Sequence, residues 1–365
     1  MGRVSDYSFI NAKLRARIGI MHDPQLVDSM IKAPSLTEAV AKLDGTRYQQ
    51  LSEVYRATGD LQQVELALLE SEIANYREVM GYLPQSSSSF VSVLLEKVEI
   101  DNIKNAIRLW YSANVMHHSI SYRSAYIYKS LIVHPINYDA IINAGTYSDL
   151  AASFHGTPYS GVLSSFTFDS LAASGLFPLE IALDHKWFSD LESAIGKLSG
   201  KDRQIAEAIY SVDVDLKNIL MITRYSYSYH LDAEHLASVI IPMGYIAKEI
   251  ERRKAALSDD PVAVIREIIA FRYPQIIEEI AHIRRTSDDL TTVEENNREI
   301  VRIEEYLGER RKKEYNRILT GDPFTIGVVL SYFFICASEE SVIRAVLSGK
   351  YYRWSEDKIR ERLGL

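Results

Sequence analysis

The side chains best suited to binding a metal ion lie close together between His230 and His235. The segment also contains Asp232 and Glu234, and on a helix His230 and Glu234 would share one face while His235 points elsewhere. Imidazole and carboxylate groups are common zinc ligands, so two or three of these side chains could contact one ion. No second cluster supplies the remaining ligands. We therefore interpret the segment as an ordinary helix start and expect neither a metal nor another cofactor.

Nucleotide binding and hydrolysis have recognisable sequence signatures, and the chain carries none of them. A phosphate-binding loop ends in Gly-Lys followed by serine or threonine. The pair Gly-Lys occurs at 196–197, 200–201 and 349–350, but Leu198, Asp202 and Tyr351 follow it. Neither the Gly-x-Ser-x-Gly elbow of hydrolases nor the His-Glu-x-x-His helix of metalloproteases occurs. The sequence predicts that this chain binds no nucleotide and is not an enzyme.

Acid, amide and guanidinium side chains recur at equal spacing in two segments, with each partner 116 positions further along the chain. The matching residues are Glu99 and Asp215, Asn102 and Asn218, and Arg108 and Arg224. An active site is seldom duplicated together with its scaffold, so acid–base catalysis is not the favoured interpretation. Two others remain open, namely buried hydrogen bonds between helices and contact with a partner.

A second block repeats 111 positions apart, which makes chance an unsatisfactory explanation. Ala41, Gly45, Thr46 and Tyr48 recur as Ala152, Gly156, Thr157 and Tyr159. Weaker third copies run from Asp260 to Tyr273 for this block and from Glu339 to Arg344 for the other, with Val342 in place of the asparagine and Ser348 in place of the arginine. Repeats at a fixed period indicate stacked structural units. We predict three helical units with the boundaries 1–116, 117–232 and 233–365.

The elements that position these residues are predicted to be helices throughout. In Thr292–Leu319, Val293, Ile300 and Leu307 recur every seven residues with Ile303 between them, which is typical of an amphipathic helix with one apolar stripe. Similar patterns cover Val64–Met80, Lys97–Val115 and Lys201–Tyr225. Alternation typical of strands is absent, apart from an ambiguous tyrosine–serine tract at 225–229. The predicted fold class is all-α.

Composition and charge narrow the class of protein further. The chain has 365 residues, a net charge of −8 and 47% hydrophobic residues, the profile of a globular protein with little attraction to nucleic acid. Its one cysteine, Cys336, cannot form an internal disulfide and lies in an apolar run, so a buried thiol and an intracellular location are expected. That run, 326–337, is shorter than the roughly 20 residues of a membrane-spanning helix. No signal peptide is expected at the start.

Both termini and the repeated segments together resemble the C subunit of archaeal-type ATP synthases, which is related to the d subunit of vacuolar-type ATPases. The resemblance rests on Tyr7–Arg17, Glu99–Lys104, Asp215–Ile219, Asp322–Gly327, Glu339–Lys350 and Ser355–Leu363. It implies three similar domains around a pseudo-threefold axis, forming a funnel. The wide end would sit on the membrane ring of proteolipid subunits, and the cavity would receive the central shaft, made of the D and F subunits. Such a protein would lie on the cytoplasmic face of the membrane as a peripheral protein.

The funnel implied by the resemblance would be lined or supported by polar residues of the matching segments. We predict this role for Asn11, Arg15, Asn102, Arg108, Asn218 and Arg224. The alternative function is a helical scaffold or adaptor unrelated to rotary ATPases, with the repeats as a short solenoid. A third is a helical enzyme that uses a metal ion bound by His230, Asp232 and His235.

Overall fold

A computed structural model describes residues 2–21, 23–120, 123–228, 239–253, 261–278 and 292–365. Within these ranges the secondary structure is helical, including one short 3-10 helix at Arg123–Tyr126, and no strand is present, which confirms the all-α class. The chain divides into two compact units. The first comprises Met1–Leu183 and Pro323–Leu365, and the second comprises Asp184–Asp322.

The α-helices are numbered in chain order. The first ten are α1 (Gly2–Ile18), α2 (Pro24–Lys32), α3 (Leu36–Ala41), α4 (Gln49–Thr58), α5 (Leu61–Met80), α6 (Gln85–Asn114), α7 (Tyr138–Ile142), α8 (Tyr147–Ala152), α9 (Ser160–Ser164) and α10 (Phe168–Ser174). The others are α11 (Phe177–Lys197), α12 (Gly200–Ser228), α13 (Gly244–Arg252), α14 (Pro261–Arg272), α15 (Thr292–Leu319), α16 (Gly327–Tyr351) and α17 (Glu356–Leu363). The predicted helices coincide with α5, α6, α12 and α15, and the ambiguous tyrosine–serine tract continues α12 as far as Ser228.

In the first unit, the end of the chain packs against its beginning. Ile343, Val346 and Leu347 of α16 belong to one buried cluster with residues of α2 to α5, including Met30 and Leu43. The predicted apolar run 326–337 precedes these residues, and α16 is buried along most of its length. Cys336 lies within this helix and is buried, as predicted.

The repeated block that ends in Tyr48 forms a short capped helix followed by a tight turn. The hydroxyl of Ser35 accepts a hydrogen bond from the backbone N–H of Glu38 and so caps α3. Gly45 then adopts a φ of 73°. The Thr46 hydroxyl donates to the Leu43 carbonyl at 2.7 Å and accepts from the Tyr48 amide at 3.1 Å. Tyr48 is thereby held in a fixed direction after the turn.

The second copy of this block has the same hydrogen bonds. Thr146 and Asp149 form a reciprocal capping box at the start of α8. Gly156 adopts a φ of 79°, and the Thr157 hydroxyl donates to the carbonyl of residue 154 and accepts from the amide of Tyr159. The sequence repeat is therefore also a repeat in structure.

The second unit is organised around α12, which packs against α13 and α15. Its buried cluster includes Ile219 of α12, Ile246 of α13, Ile268 of α14 and Ile303 of α15. Of the predicted apolar stripe on α15, Ile303 and Leu307 are each 2% exposed, whereas the opposite face of the helix is open to solvent. The three predicted units concern sequence repeats, whereas the two compact units are defined by contacts, so the boundaries 1–116, 117–232 and 233–365 stay a prediction.

Replacing Gly308 by alanine is expected to stabilise the isolated chain by about 0.5–1 kcal/mol, because glycine is the weaker helix former in the interior of α15. An added methyl group at this exposed position meets nothing within 4 Å. The free energy of unfolding in urea measures the effect. Gly45→Ala provides the contrast, since its positive φ penalises a methyl group despite equal space. An unchanged or lower stability of Gly308→Ala would contradict the expectation.

Candidate functional site

Three buried tyrosines each donate a hydrogen bond to a buried carboxylate. Tyr48 donates to Glu339 at 2.6 Å, Tyr159 to Glu99 at 2.8 Å and Tyr273 to Asp215 at 2.8 Å. Each tyrosine comes from a copy of one repeated block, and each acid comes from a copy of the other. Burial raises the pKa of all three hydroxyls, which keeps them protonated as donors. We call these contacts the tyrosine–carboxylate pairs.

The pairs connect the copies in a regular order. The acid of the first copy, Glu99, binds the tyrosine of the second, Tyr159, and the acid of the second, Asp215, binds the tyrosine of the third, Tyr273. Glu339 of the third copy binds Tyr48 of the first. In the structure, both weak third copies therefore make the same contact as the clear copies. The third contact leads back from the third copy to the first.

A basic side chain accompanies each pair. Arg47 lies 3.4 Å from Glu339 and Arg272 lies 3.4 Å from Asp215, and each arginine directly precedes its tyrosine in the sequence. Proline precedes Tyr159, so that copy has no such arginine. There the ring nitrogen Nδ1 of His134 lies 2.7 Å from Glu99. In this copy, a residue from outside the repeated block therefore takes the place of the arginine beside the acid.

Glu99 is fully buried, and both of its carboxylate oxygens are hydrogen-bonded. Its Oε2 accepts backbone N–H groups of Val133 and His134 at 2.7 and 2.8 Å, and its Oε1 contacts the His134 ring and the Tyr159 hydroxyl. Burial raises the pKa of this carboxyl, but the bonds from His134, Val133 and Tyr159 outweigh burial and hold the pKa below its usual value. The ionised form thus stabilises the fold above that usual pKa, and the contribution is lost as the pH falls through the lowered value.

Asp215 performs the same task in the second unit. Its Oδ1 accepts the backbone N–H of Ile246 at 2.9 Å at the start of α13, and Oδ2 accepts from Tyr273. Burial raises the pKa of Asp215 because these bonds and Arg272 compensate only in part. Gly244 makes this approach possible, since an added Cβ there would lie 2.5 Å from Oδ1.

Two of the three predicted asparagines, Asn102 and Asn218, are buried and hold the backbone in place. The Asn102 side chain donates to the Tyr128 carbonyl at 2.7 Å and accepts from the Tyr128 amide at 3.2 Å. Asn218 does the same with Ile241, at 3.0 and 2.9 Å. Both are at most 3% exposed. Each amide therefore fixes a backbone segment to α6 or α12, which is the structural interpretation left open by the sequence.

Two of the other predicted site residues, Arg15 and Arg108, are exposed. Arg108 makes a two-bond ion pair with Glu180 at 2.7 and 2.8 Å, and its side chain is half-exposed. Arg15 donates to Asn11 at 2.9 Å on the exposed side of α1. Arg224 lies in α12, and its side chain is outside the described residues. A contact of Asn11, Arg15, Arg108 or Arg224 with a partner stays a prediction.

A cavity of about 890 Å³ opens beside the Asp215 pair in the second unit. Its lining mixes the basic residues Arg203, Lys248 and Arg272 with the acidic residues Glu192, Glu207 and Glu314. A phosphate-bearing ligand is attracted by an excess of positive charge, which this balanced lining does not provide. The chemistry of the cavity therefore does not favour a nucleotide.

Metal binding was also expected to be absent. Among the residues that the structure describes, no group of three or more histidine, cysteine, aspartate or glutamate side chains is arranged to hold an ion. The candidate segment from His230 to His235 lies outside the described residues. In the same described part of the chain, no helix is both long enough and apolar enough to cross a membrane.

Comparison with known proteins identifies the family. The model of the ATP synthase (C/AC39) subunit family matches residues 10–362. The chain belongs to this family. It is 21% identical to the C subunit of the A-type ATP synthase of Methanocaldococcus jannaschii over 99% of this chain and 86% of that protein. The corresponding protein of Pyrococcus horikoshii is 22% identical over 99% and 91%, and that of Methanosarcina mazei is 24% identical over 84% and 77%.

Membership of the C/AC39 family confirms the resemblance and fixes the general role. The chain is a subunit of a rotary ATPase, and the family is a structural, non-catalytic one. As one component of an ATP synthase it interacts with the rest of a membrane-associated complex. The helical enzyme and the unrelated adaptor are thereby set aside.

Sequence reasoning missed how the two repeated blocks contact one another. It found Tyr48, Tyr159 and the acids Glu99 and Asp215 as separate repeats, without pairing them. The available signal was the similar spacing of the two blocks, 111 and 116 positions, which suggests that the same residues meet in each copy. The sequence did not indicate the role of His134, because this residue lies outside both repeated blocks.

Glu340, next to the Glu339 pair, is expected to make the first unit less stable at alkaline pH. It is 6% exposed, and burial together with nearby Glu72 raises its pKa to about 7. The folded chain therefore holds a proton that the unfolded chain releases above a pH of about 4.5, so stability declines as the pH rises between these values. Glu340→Gln should add about 1–3 kcal/mol to the free energy of unfolding at pH 8 and little at pH 4.5.

Urea denaturation of both proteins at the two pH values measures the Glu340 effect. Glu361→Gln, on the exposed surface of α17, serves as the matched control and should leave the difference between the two pH values unchanged. An equal effect of Glu340→Gln at both pH values would contradict the expected proton uptake.

Proposed function

We propose that the chain is the central-stalk coupling component of an A-type or V-type rotary ATPase. In this role it links the central shaft, made of the D and F subunits, to the proteolipid ring, on the cytoplasmic face of the membrane. It turns with the rotor and transmits torque between ion transport and ATP chemistry, which other subunits perform. The chain itself binds no nucleotide and no nucleic acid.

The observation that carries this proposal is the order of the tyrosine–carboxylate pairs. Three similar contacts that run from copy to copy and return to the first copy support three equivalent units around an axis. A pseudo-threefold funnel offers similar surfaces around a shaft at its centre and a broad rim to a ring. The family to which the chain belongs is consistent with such a body in a rotary ATPase.

The buried hydrogen bonds of the pairs suit a part that must transmit force. Each pair combines a buried carboxylate with a tyrosine hydroxyl and a basic neighbour, and such charge-assisted bonds are stronger and more directional than contacts between neutral groups. Asn102 and Asn218 add two further bonds from a side chain to the backbone. The scaffold is thus braced at corresponding positions of its copies, which limits bending under load.

The test is affinity purification of the tagged full-length chain from membranes in mild detergent, followed by mass spectrometry. The expected result is recovery of the proteolipid, a D-like shaft protein and the nucleotide-binding subunits. Cross-linking within the purified complex should then connect this chain to the proteolipid and to one of the two shaft proteins. Recovery of the ATPase with cross-links only to peripheral subunits would overturn the central position.

A further inference from the structure

The turn between α16 and α17 has a backbone conformation that is unfavourable for its residue. The amide of Arg353 donates to the carbonyl of Lys350 at 3.1 Å, and the amide of Trp354 donates to that of Gly349 at 2.9 Å. This pair of bonds defines a Schellman helix end, in which the residue corresponding to Arg353 adopts the left-handed conformation. Glycine usually occupies that position because it has no Cβ. Here Arg353 adopts it, with a φ of 56°.

The side chains at this turn are those that protein interfaces favour. Tyr351 is 57% exposed and Tyr352 is 66% exposed, and their rings meet edge to face at 5.1 Å. Arg353 is exposed, and its guanidinium has no ion-pair or hydrogen-bond partner among the residues that the structure describes. Tyrosine and arginine dominate the energetically important residues of interfaces. The strained turn therefore places an arginine next to two exposed aromatic rings.

The residues beneath the turn hold it in place. The Trp354 ring stacks on Tyr352 at 6.4 Å, and the Lys358 ammonium lies 4.7 Å from the centre of the Trp354 ring. Helices α16 and α17 approach so closely at Gly349 that an added Cβ would lie 2.7 Å from Ile359. A rigid, preformed surface loses little conformational entropy when a partner binds.

The Arg353 guanidinium is the charged group at the turn that selects the kind of partner. Between positions 350 and 362 there are five arginine or lysine residues and three aspartate or glutamate residues, in a chain whose net charge is −8. Two of the basic side chains are engaged within the unit, since Lys350 donates to the Ile31 carbonyl and Arg360 pairs with Asp28. Arg353 remains available to a carboxylate from outside.

We propose that Tyr351, Tyr352 and Arg353 form a docking surface for an acidic segment of another protein of the complex. A carboxylate of that segment pairs with the Arg353 guanidinium, while the two tyrosine rings cover an adjacent apolar side chain. This inference rests on the proposed function, because it takes the partner from the rotary ATPase. It adds to that function a specific surface and the chemistry of what binds there.

Arg353→Gly separates a docking role from a structural one, because the two effects have opposite signs. Glycine relieves the backbone strain, so the melting temperature of the isolated chain should rise by about 1–3 °C. Loss of the guanidinium should reduce the amount of other ATPase subunits retained on the tagged chain in a salt wash by about tenfold. Arg353→Lys keeps the charge and should retain an intermediate amount of these subunits, since lysine cannot form two parallel hydrogen bonds with a carboxylate.

His117 provides the matched control, since it is the other described residue besides glycine with a positive φ, also 56°. His117→Gly should raise the melting temperature in the same way and leave the retention of ATPase subunits unchanged. Retention by Arg353→Gly equal to that of the wild type would overturn the docking surface while leaving the proposed function in place. A wild-type chain that retains no other ATPase protein would overturn the proposed function and the docking surface with it.

A photo-reactive amino acid in place of Tyr352, in the assembled complex, identifies what binds at the turn. The expected product is a cross-link to a peptide of another ATPase protein that contains aspartate or glutamate. A cross-link to lipid alone, to a segment without acidic residues, or to nothing would overturn the proposal.

Discussion

Glu99→Ala is expected to lower the free energy of unfolding by about 3–5 kcal/mol, one of the largest losses from a single substitution in this chain. The change removes a fully buried carboxylate and leaves its donors unsatisfied, namely the amides of Val133 and His134 and the hydroxyl of Tyr159. It also leaves a cavity next to α6. Chemical denaturation followed by circular dichroism measures the effect.

Two variants test the reason for that loss. Glu99→Gln keeps the shape but loses the charge, so it should cost less than Glu99→Ala, about 1–3 kcal/mol. Glu53→Ala on the exposed surface of α4 removes a carboxylate that accepts from Gln49, and it should change stability by less than about 0.5 kcal/mol. Equal losses in Glu99→Ala and Glu53→Ala would show that the tyrosine–carboxylate pair is not important for stability.

Gly244→Ala is expected to destabilise the second unit by about 3–5 kcal/mol through two additive causes. Alanine is strained at a φ of 84°, which costs about 1–2 kcal/mol. The new Cβ would also lie 2.5 Å from the Asp215 carboxylate, so that the acid must move away from the Ile246 amide and from Tyr273. The midpoint of urea denaturation, followed by circular dichroism, reports the loss.

The matched control for Gly244→Ala is Gly196→Ala, also in the second unit. Its added methyl meets nothing within 4 Å and its φ is not positive, so stability should be unchanged or slightly higher. In an Asp215→Ala background, the steric conflict at residue 244 disappears and only the backbone strain remains. The Gly244→Ala change should therefore cost less in that background, and an equal cost would contradict the close contact.

Features governed by local sequence were predictable. The periodicity of Ile303 and Leu307 identified α15 and its buried stripe. Apolar surroundings identified Cys336 as buried. Each of these depends on residues within a few turns of one helix, where the sequence alone contains the relevant neighbours.

Features that depend on distant neighbours were not predictable in the same way. Asn102 and Asn218 were recognised as a recurring pair, but their backbone partners, Tyr128 and Ile241, lie more than twenty residues away. The tyrosine–carboxylate pairs span still longer intervals and connect different copies. A repeat shows which positions are equivalent, whereas the choice of partner follows from how the copies pack, which single-sequence patterns do not contain.

The contact between Tyr48 and Glu339 also has a consequence for biosynthesis, because these residues are separated by 291 positions. The helices α2 to α5 leave the ribosome long before α16, so the apolar face that receives α16 stays open until α16 has been synthesised. At roughly 5–20 residues per second, that interval is about 15–60 seconds. The Tyr159 and Tyr273 pairs bridge only 60 and 58 positions and can close while elongation continues. Of the three contacts, the one made by Tyr48 therefore leaves its apolar surroundings open for the longest time, and those surroundings most need protection by chaperones.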